Sequence, residues 1–242
     1  MHISVIGLYV DQLIAYVNRG VVGRYINNQH LTLTGLSLRD FANPPHYKVD
    51  AYPYANRKGM LLRSDVLHRA IQSVPDHPLI IMPDPAGKPF NFNVAKSLSK
   101  QSQLLFVSPA YEGVDDRIFQ LADIQRYSIG DFIVPNGDTP VALMIEAIVR
   151  YLPGVLGRDD CVEDDSILSG LLEYPQFCAP RSIDQLDVPD VLLSGHHQEI
   201  DRWKQQQSLR RTLYKRPDLL NQFSFSKTLV KMLDQIILED TQ

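Results

Sequence analysis

The chain has 242 residues, 44% of them hydrophobic, and a formal net charge of −4. That is enough material for one large cored domain or two smaller ones, and two are expected. The acidic balance speaks against a protein coated in nucleic acid, and the lack of any run of about 18 apolar residues speaks against a membrane-spanning helix. Cys161 and Cys178 are too few for a disulfide scaffold or a metal site of their own, so no metal-ligating set is assigned.

The opening Met-His-Ile-Ser-Val-Ile-Gly-Leu reads as a strand rather than a signal segment, so a soluble, cytoplasmic protein without a membrane partner is expected. A buried strand over 3–9 is followed by helical spacing of Leu13, Ile14 and Val17, a βα start. Residues 31–38 alternate as a second strand, and the apolar runs 79–82 and 104–107 suit strands buried in a parallel sheet. Helices are expected near 64–73, 91–100 and 115–122, and the alternation predicts an α/β domain.

After Gly157 the character changes. Arg158 to Ser166 holds five carboxylates in nine residues, which reads as a linker. Segments 167–172, 197–213 and 225–238 then read as helices. The expected organisation is an α/β domain over 1–157, an acidic linker over 158–170 and a small all-helical domain over 171–242.

Three turn-rich segments carry the candidate chemistry: Pro83-Asp84-Pro85-Ala86-Gly87, Ser108-Pro109-Ala110-Tyr111-Glu112-Gly113, and residues 128–140. The first two follow expected strands, where open α/β sheets bind ligands. The third runs into an apolar helix, with Thr139 at the expected N-cap and Pro140 at the first helical position. Taken singly, each is a Pro/Gly turn with a structural role. A basic segment lies further on, where Arg202, Lys204, Arg210, Arg211, Lys215 and Arg216 follow one another without an intervening acid. Such a face is commonly just solvated, but in an acidic chain it points to RNA contact.

The segment Ser-Ile-Gly-Asp-Phe-Ile-Val-Pro-Asn-Gly-Asp-Thr-Pro, the later Leu-Pro-Gly-Val-Leu-Gly, and the run from Val191 to Leu220 closely resemble the TrmD family of bacterial tRNA (guanine-N1)-methyltransferases. The likeness spans essentially the whole chain. It implies a SPOUT-type fold: a trefoil-knotted parallel-sheet domain, followed by the all-helical domain. It also implies S-adenosylmethionine as cofactor, tRNA as partner, Mg2+ as a further requirement, and a homodimer with composite active sites. Against the cofactor it sets Pro85; Pro109, Tyr111 and Glu112; and Ile129, Gly130, Asp131, Phe132, Ile133, Val134, Asn136, Gly137 and Pro140. RNA contact would fall to Lys58, His197, Arg202, Lys204, Ser208, Arg211 and Arg216.

Methylating guanine at N1 needs a base to take the N1 proton and a cation to offset charge on the neighbouring carbonyl oxygen. The resemblance assigns these roles to Asp165, acting across the dimer interface, and to Arg150, projecting from the helix after the third loop. From spacing alone, Asp165 or Ser166 suits an N-cap, and Arg150 suits an ion pair with Glu146 one turn earlier.

The chain also departs from the family's usual lettering. Ser108, Pro109 and Ala110 stand where the family has Cys, Gly and Arg. Asn136 and Asp138 replace Gly and Glu, and Ala55, Asn56 and Arg57 replace three glycines. Pro109 lacks an N–H, Ala110 lacks a cation, and the 55–57 loop loses backbone freedom. Two alternatives follow from these departures: a paralogue with weak or lost cofactor binding that serves as an RNA-binding protein, and a methyltransferase for another RNA site.

Overall fold

A computed structural model describes residues 1–55, 58–155, 170–221 and 226–240. The chain divides into two compact units, Met1–Gly157 and Arg158–Gln242. In the first, β1 (His2–Gly7), α1 (Val10–Val17), α2 (Gly20–Asn27), β2 (Thr32–Ser37), β3 (Asp50–Ala51), β4 (Leu61–Leu62) and α3 (Ser64–Gln72) lead to β5 (Leu79–Pro89). α4 (Phe92–Leu98), β6 (Gln103–Val107), α5 (Ile118–Leu121), β7 (Ile124–Ser128) and α6 (Asp138–Val149) complete it.

Five strands form one parallel sheet in the order β2-β1-β6-β5-β7. The alternation along each strand divides the core in two. Ile3, Val5, Ile81, Leu104 and Phe106 face α1, α4 and α6, meeting Leu13, Val17, Leu98, Val141, Met144, Ile145 and Ile148. Ile6, Met82, Leu105 and Val107 face the other way, onto Leu38, Val66, Leu67, Ala70 and Ile118. Burial on both faces explains why 104–107 reads as an unbroken apolar run.

Several local expectations need correction. β5 does not stop at Met82: it loops out over 84–87 and rejoins β7 at Lys88 and Pro89. The expected helix over 115–122 is only the single turn Ile118–Leu121, because Asp115 accepts hydrogen bonds from the Arg117 backbone N–H at 3.1 Å and from its guanidinium, holding the chain in a turn first. α6 starts at Asp138 with Gly137 as N-cap, so Thr139 is inside the helix and caps nothing. Asn136, one residue before the cap, makes a local turn into the helix, its Oδ1 accepting from the Asp138 backbone N–H at 3.1 Å. α2 and β7 were not anticipated at all.

In the second unit, β8 (Ser182–Ile183) and β9 (Leu186–Asp187) precede α7 (Asp190–Leu193), α8 (His197–Lys215), α9 (Pro217–Leu220) and α10 (Lys227–Asp240). Among the described residues of this unit, the regular structure is helical apart from one hairpin, and 170–181 is irregular. Asp184 and Gln185 both take positive φ, 50° and 69°, as a two-residue hairpin turn requires. Of the expected helix at 167–172, only 170–172 is described, and it is not helical. There the Leu172 N–H donates to Thr212 Oγ1 at 2.8 Å, and Leu171, Leu209 and Ile236 form a small core.

A candidate cofactor cleft and a cationic helix

The excursion of β5 over 84–87 and the loops after β6 and β7 lie toward the carboxyl ends of three adjacent strands, so sheet order alone brings them together. They enclose a cleft of about 460 Å³, within the range of small-molecule sites. Pro85 lines it from the first loop, and Pro109, Tyr111 and Glu112 line it from the second. The third loop contributes Ile129, Gly130, Phe132, Ile133, Val134, Asn136 and Gly137, and Pro140 of α6 closes the wall. Asp131 is the exception among the expected residues: it is exposed and does not line the cleft.

Sequence reasoning missed Tyr127 as a cleft residue and included Ser128 only as the start of the third segment, without setting it against the cofactor. They end β7, a strand whose Ile-Gln-Arg-Tyr-Ser carries no apolar run. The Tyr127 hydroxyl donates to Gln125 Oε1 at 2.9 Å, and partial burial raises its pKa above the usual phenol value. Tyr111 is likewise raised, first by burial and then by the charge and hydrogen bond of Asp50. Asp84 lines the cleft with both carboxylate oxygens engaged, accepting from the Ala86 N–H at 2.7 Å and pairing with Arg126 at 3.3 Å.

Backbone fixes the second and third loops to each other. The Gly137 N–H donates to the Pro109 carbonyl at 2.6 Å. A Cβ on Gly137 would stand 2.3 Å from Pro109 Cδ and 2.8 Å from its nitrogen, so only glycine fits. The proline's missing N–H is not needed in this contact, because what the second loop contributes is a carbonyl. Glu112 is anchored upstream, its N–H donating to Met60 O at 3.0 Å, and Leu62 N–H donates to Gly113 O at 2.9 Å. In the altered 53–60 loop, Ala55 takes the left-handed region at φ 64°, which costs a non-glycine residue about 1 kcal/mol. Lys58 is exposed, and Asn56 and Arg57 lie outside the described residues.

Arg150 is not at this cleft. It follows the last residue of α6 and lines a separate hollow of about 400 Å³ with Arg19, Gly20 and Glu146. A helix of 12 residues is about 18 Å long, which sets Arg150 far from the loops at the other end. Asp165, Ser166, Cys161 and almost all of the 158–170 linker lie outside the described residues. Among the described residues no cluster suits a metal ion, and no helix is long and apolar enough to cross a membrane.

The basic run of the second unit lies on α8 as far as Lys215 and ends at Arg216, just past the helix. Two of its cations are engaged: Arg210 with Glu239 at 2.8 Å and Asp240 at 3.1 Å, and Arg216 with Asp218 at 2.7 Å. The latter pairing lowers the Asp218 pKa. Arg202, Lys204, Arg211 and Lys215 form no ion pair among the described residues, and Lys204 Nζ lies 5.1 Å from the Tyr174 ring centre. Ser208 is half-buried, with its carbonyl accepting from Thr212 Oγ1 at 2.7 Å. His197 begins α8 and is exposed.

Comparison with known proteins finds relatives over nearly the whole chain. Residues 1–222 match the family model described as tRNA (Guanine-1)-methyltransferase TrmD. The chain is 39% identical to a tRNA (guanine-N(1)-)-methyltransferase of Lacticaseibacillus paracasei, covering 99% of this chain and 95% of that protein. It is 38% identical to the namesake from Syntrophomonas wolfei, covering 98% and 97%. With the protein of that name from Lactiplantibacillus plantarum it shares 37% identity over 100% of both. The chain belongs to the TrmD family of tRNA (guanine-1)-methyltransferases.

Proposed function

We propose that this chain methylates N1 of guanine in tRNA, at the guanosine 3′ of the anticodon, with S-adenosylmethionine as methyl donor. Beside family membership, the observation that carries the reading is the convergence of three loops on one cleft at the carboxyl ends of β6, β5 and β7. The cleft suits the cofactor: its apolar wall of Ile129, Phe132, Val134 and Pro85 offers a slot for a purine, and the Glu112 carboxylate lies at its edge. When bound, the cofactor supplies an electrophilic methyl on a sulfonium. Guanine N1 must give up its proton as it takes the methyl, so a base and a cation are required of the protein. The N1 proton goes to the Asp165 carboxylate, while Arg150 offsets the charge growing on the guanine O6.

The distance along α6 from the loops to Arg150 supports a homodimer with composite sites, in which a second copy brings Arg150 to the loop cleft and Asp165 acts across the interface. A trefoil knot is consistent with the return of the chain after β7 to bond Pro109 beyond β6. The α8 face bearing Lys204, Arg211 and Lys215 suits tRNA phosphates, with His197 and Ser208 on the same side of the helix, and Arg202 and Lys58 are assigned as further contacts. We assign cofactor binding to the first unit, RNA binding to the second, Mg2+ as an aid to catalysis, and the cytoplasm as the place of action.

Calorimetry with S-adenosylmethionine and methyl transfer to unmodified tRNA test the reading together. Cofactor binding by both proteins, with transfer abolished only in Asp165→Ala, is expected. Wild-type protein without cofactor binding would favour the RNA-binding paralogue, and undiminished transfer by Asp165→Ala would remove that residue as base.

A further inference from the structure

The loop from Ile129 to Asn136 forms most of one cleft wall, yet little holds its middle in place. Ile133 is fully exposed and Phe132 is 58% exposed. At its start, the hydrogen bonds are those exchanged between Ser128 Oγ and Gly130. Its position must be set from the far end, and there the chain carries a connected polar cluster. Ser108 Oγ donates to Asp138 Oδ1. Asn136 Nδ2 donates to Asp138 Oδ2 at 2.9 Å, and the Asp138 N–H donates to Asn136 Oδ1 at 3.1 Å. Each carboxylate oxygen thus meets one donor, and the two donors come from different loops.

Ser108 is the fixed end. It is 2% exposed, and its N–H extends the sheet by donating to Ile6 O at 2.8 Å. Asn136 is the working end, since it lines the cleft beside Gly137 and Pro109. Neither Ser108 nor Asp138 lines the cleft; they stand behind its wall. Three letters that depart from the family's usual pattern, Ser108, Asn136 and Asp138, are therefore one hydrogen-bonded unit.

We propose that Asp138, clasped between Ser108 and Asn136, is a positioning residue that sets the third loop for cofactor binding without touching the cofactor. The inference rests on the cofactor reading of the cleft. Removing either arm lets the wall drift from the sheet, so affinity for the cofactor falls while the α8 surface is untouched. Because the hydroxyl and the carboxylate act on each other, their removal does not multiply.

The test is a double-mutant cycle, with S-adenosylhomocysteine titrated into the full-length wild type, Ser108→Ala, Asp138→Ala and the double variant. It is run well below the melting temperature of each. Each single change is expected to raise Kd about tenfold, as loss of a charge-assisted hydrogen bond does, and the double variant is expected to be no worse than the worse single. tRNA affinity should stay constant, which general unfolding would not allow. If Asp138→Ala does not fold, Asp138→Asn takes its place, keeping an acceptor for Ser108 while opposing two amide groups at Asn136. Tight wild-type binding left unchanged by the variants, or effects that multiply, would overturn the inference alone. A wild type that binds no S-adenosylhomocysteine would overturn the cofactor reading and this inference with it.

Discussion

The loop cleft of the first unit is held in place by contacts between its loops, whereas the cationic face of α8 is made of side-chain tips. In the cleft, position is enforced by a strand-anchored serine, a glycine pressed on a proline and a carbonyl bond between loops. On α8, Arg202 and Lys215 are exposed and rest on a unit whose described buried apolar core is Leu171, Leu209 and Ile236. A small ligand of fixed shape gains affinity when its site is held in place beforehand. A polyanion with evenly spaced charges requires only cations at the right spacing and can tolerate mobile ones.

The sharpest way to break this comparison is at Gly137. Gly137→Ala forces Pro109 and the third loop apart, and a displacement near 1 Å costs about a hundredfold in turnover. Methyl transfer should fall by that order with tRNA affinity retained. A variant of normal activity would mean that the cleft wall is not preset by this contact.

On the other side, Arg202→Ala and Lys204→Ala should each lower the slope of log affinity against log salt by about 0.8, if each neutralises one phosphate. Filter binding across a salt series reads this, and cofactor affinity should not move. Arg210→Ala separates charge from phosphate contact on the same helix. Its side chain is 28% exposed and joins α8 to Glu239 and Asp240 of α10, so urea unfolding of the second unit should weaken by about 1 kcal/mol. Its salt slope should match that of the wild type, and a reduced slope would return Arg210 to the RNA face.

The smallest effect concerns the turn after the second loop. The hydrogen bond from Arg117 holds the Asp115 carboxyl below the usual carboxylate range. A carboxyl depressed in the folded state adds stability above its unfolded pKa and loses it as pH falls through the folded one. Arg117→Ala should therefore lower Tm slightly at neutral pH, since Arg117 is 69% exposed, and the difference should shrink as pH is taken below about 4. A difference that persists in acid would assign the effect to packing.

The core strands were legible in the sequence because parallel strands covered on both faces read as apolar runs, as at 104–107. β7 was not: it is an edge strand, and its Gln125 and Arg126 break the run. α2 was hidden by two glycines within eight residues. The three loops could be found from their turn residues and from likeness to a known pattern. The clasp on Asp138 could not, because Ser108 lies 30 positions away and becomes its neighbour only through the sheet order. Pro109 misled for a related reason: counting its missing N–H ignored the carbonyl that the fold uses. The distance of Arg150 from the loops was equally invisible, since a residue 10 positions after Pro140 seems near until the helix between them is given its length.

The measurement that bears most directly on the central claim is transfer of labelled methyl from S-adenosylmethionine to two unmodified tRNA transcripts. They differ only in having guanosine or adenosine 3′ of the anticodon. The account predicts 1-methylguanosine in the first and no label in the second. Equal labelling of both, or none in either while the cofactor binds, would contradict it.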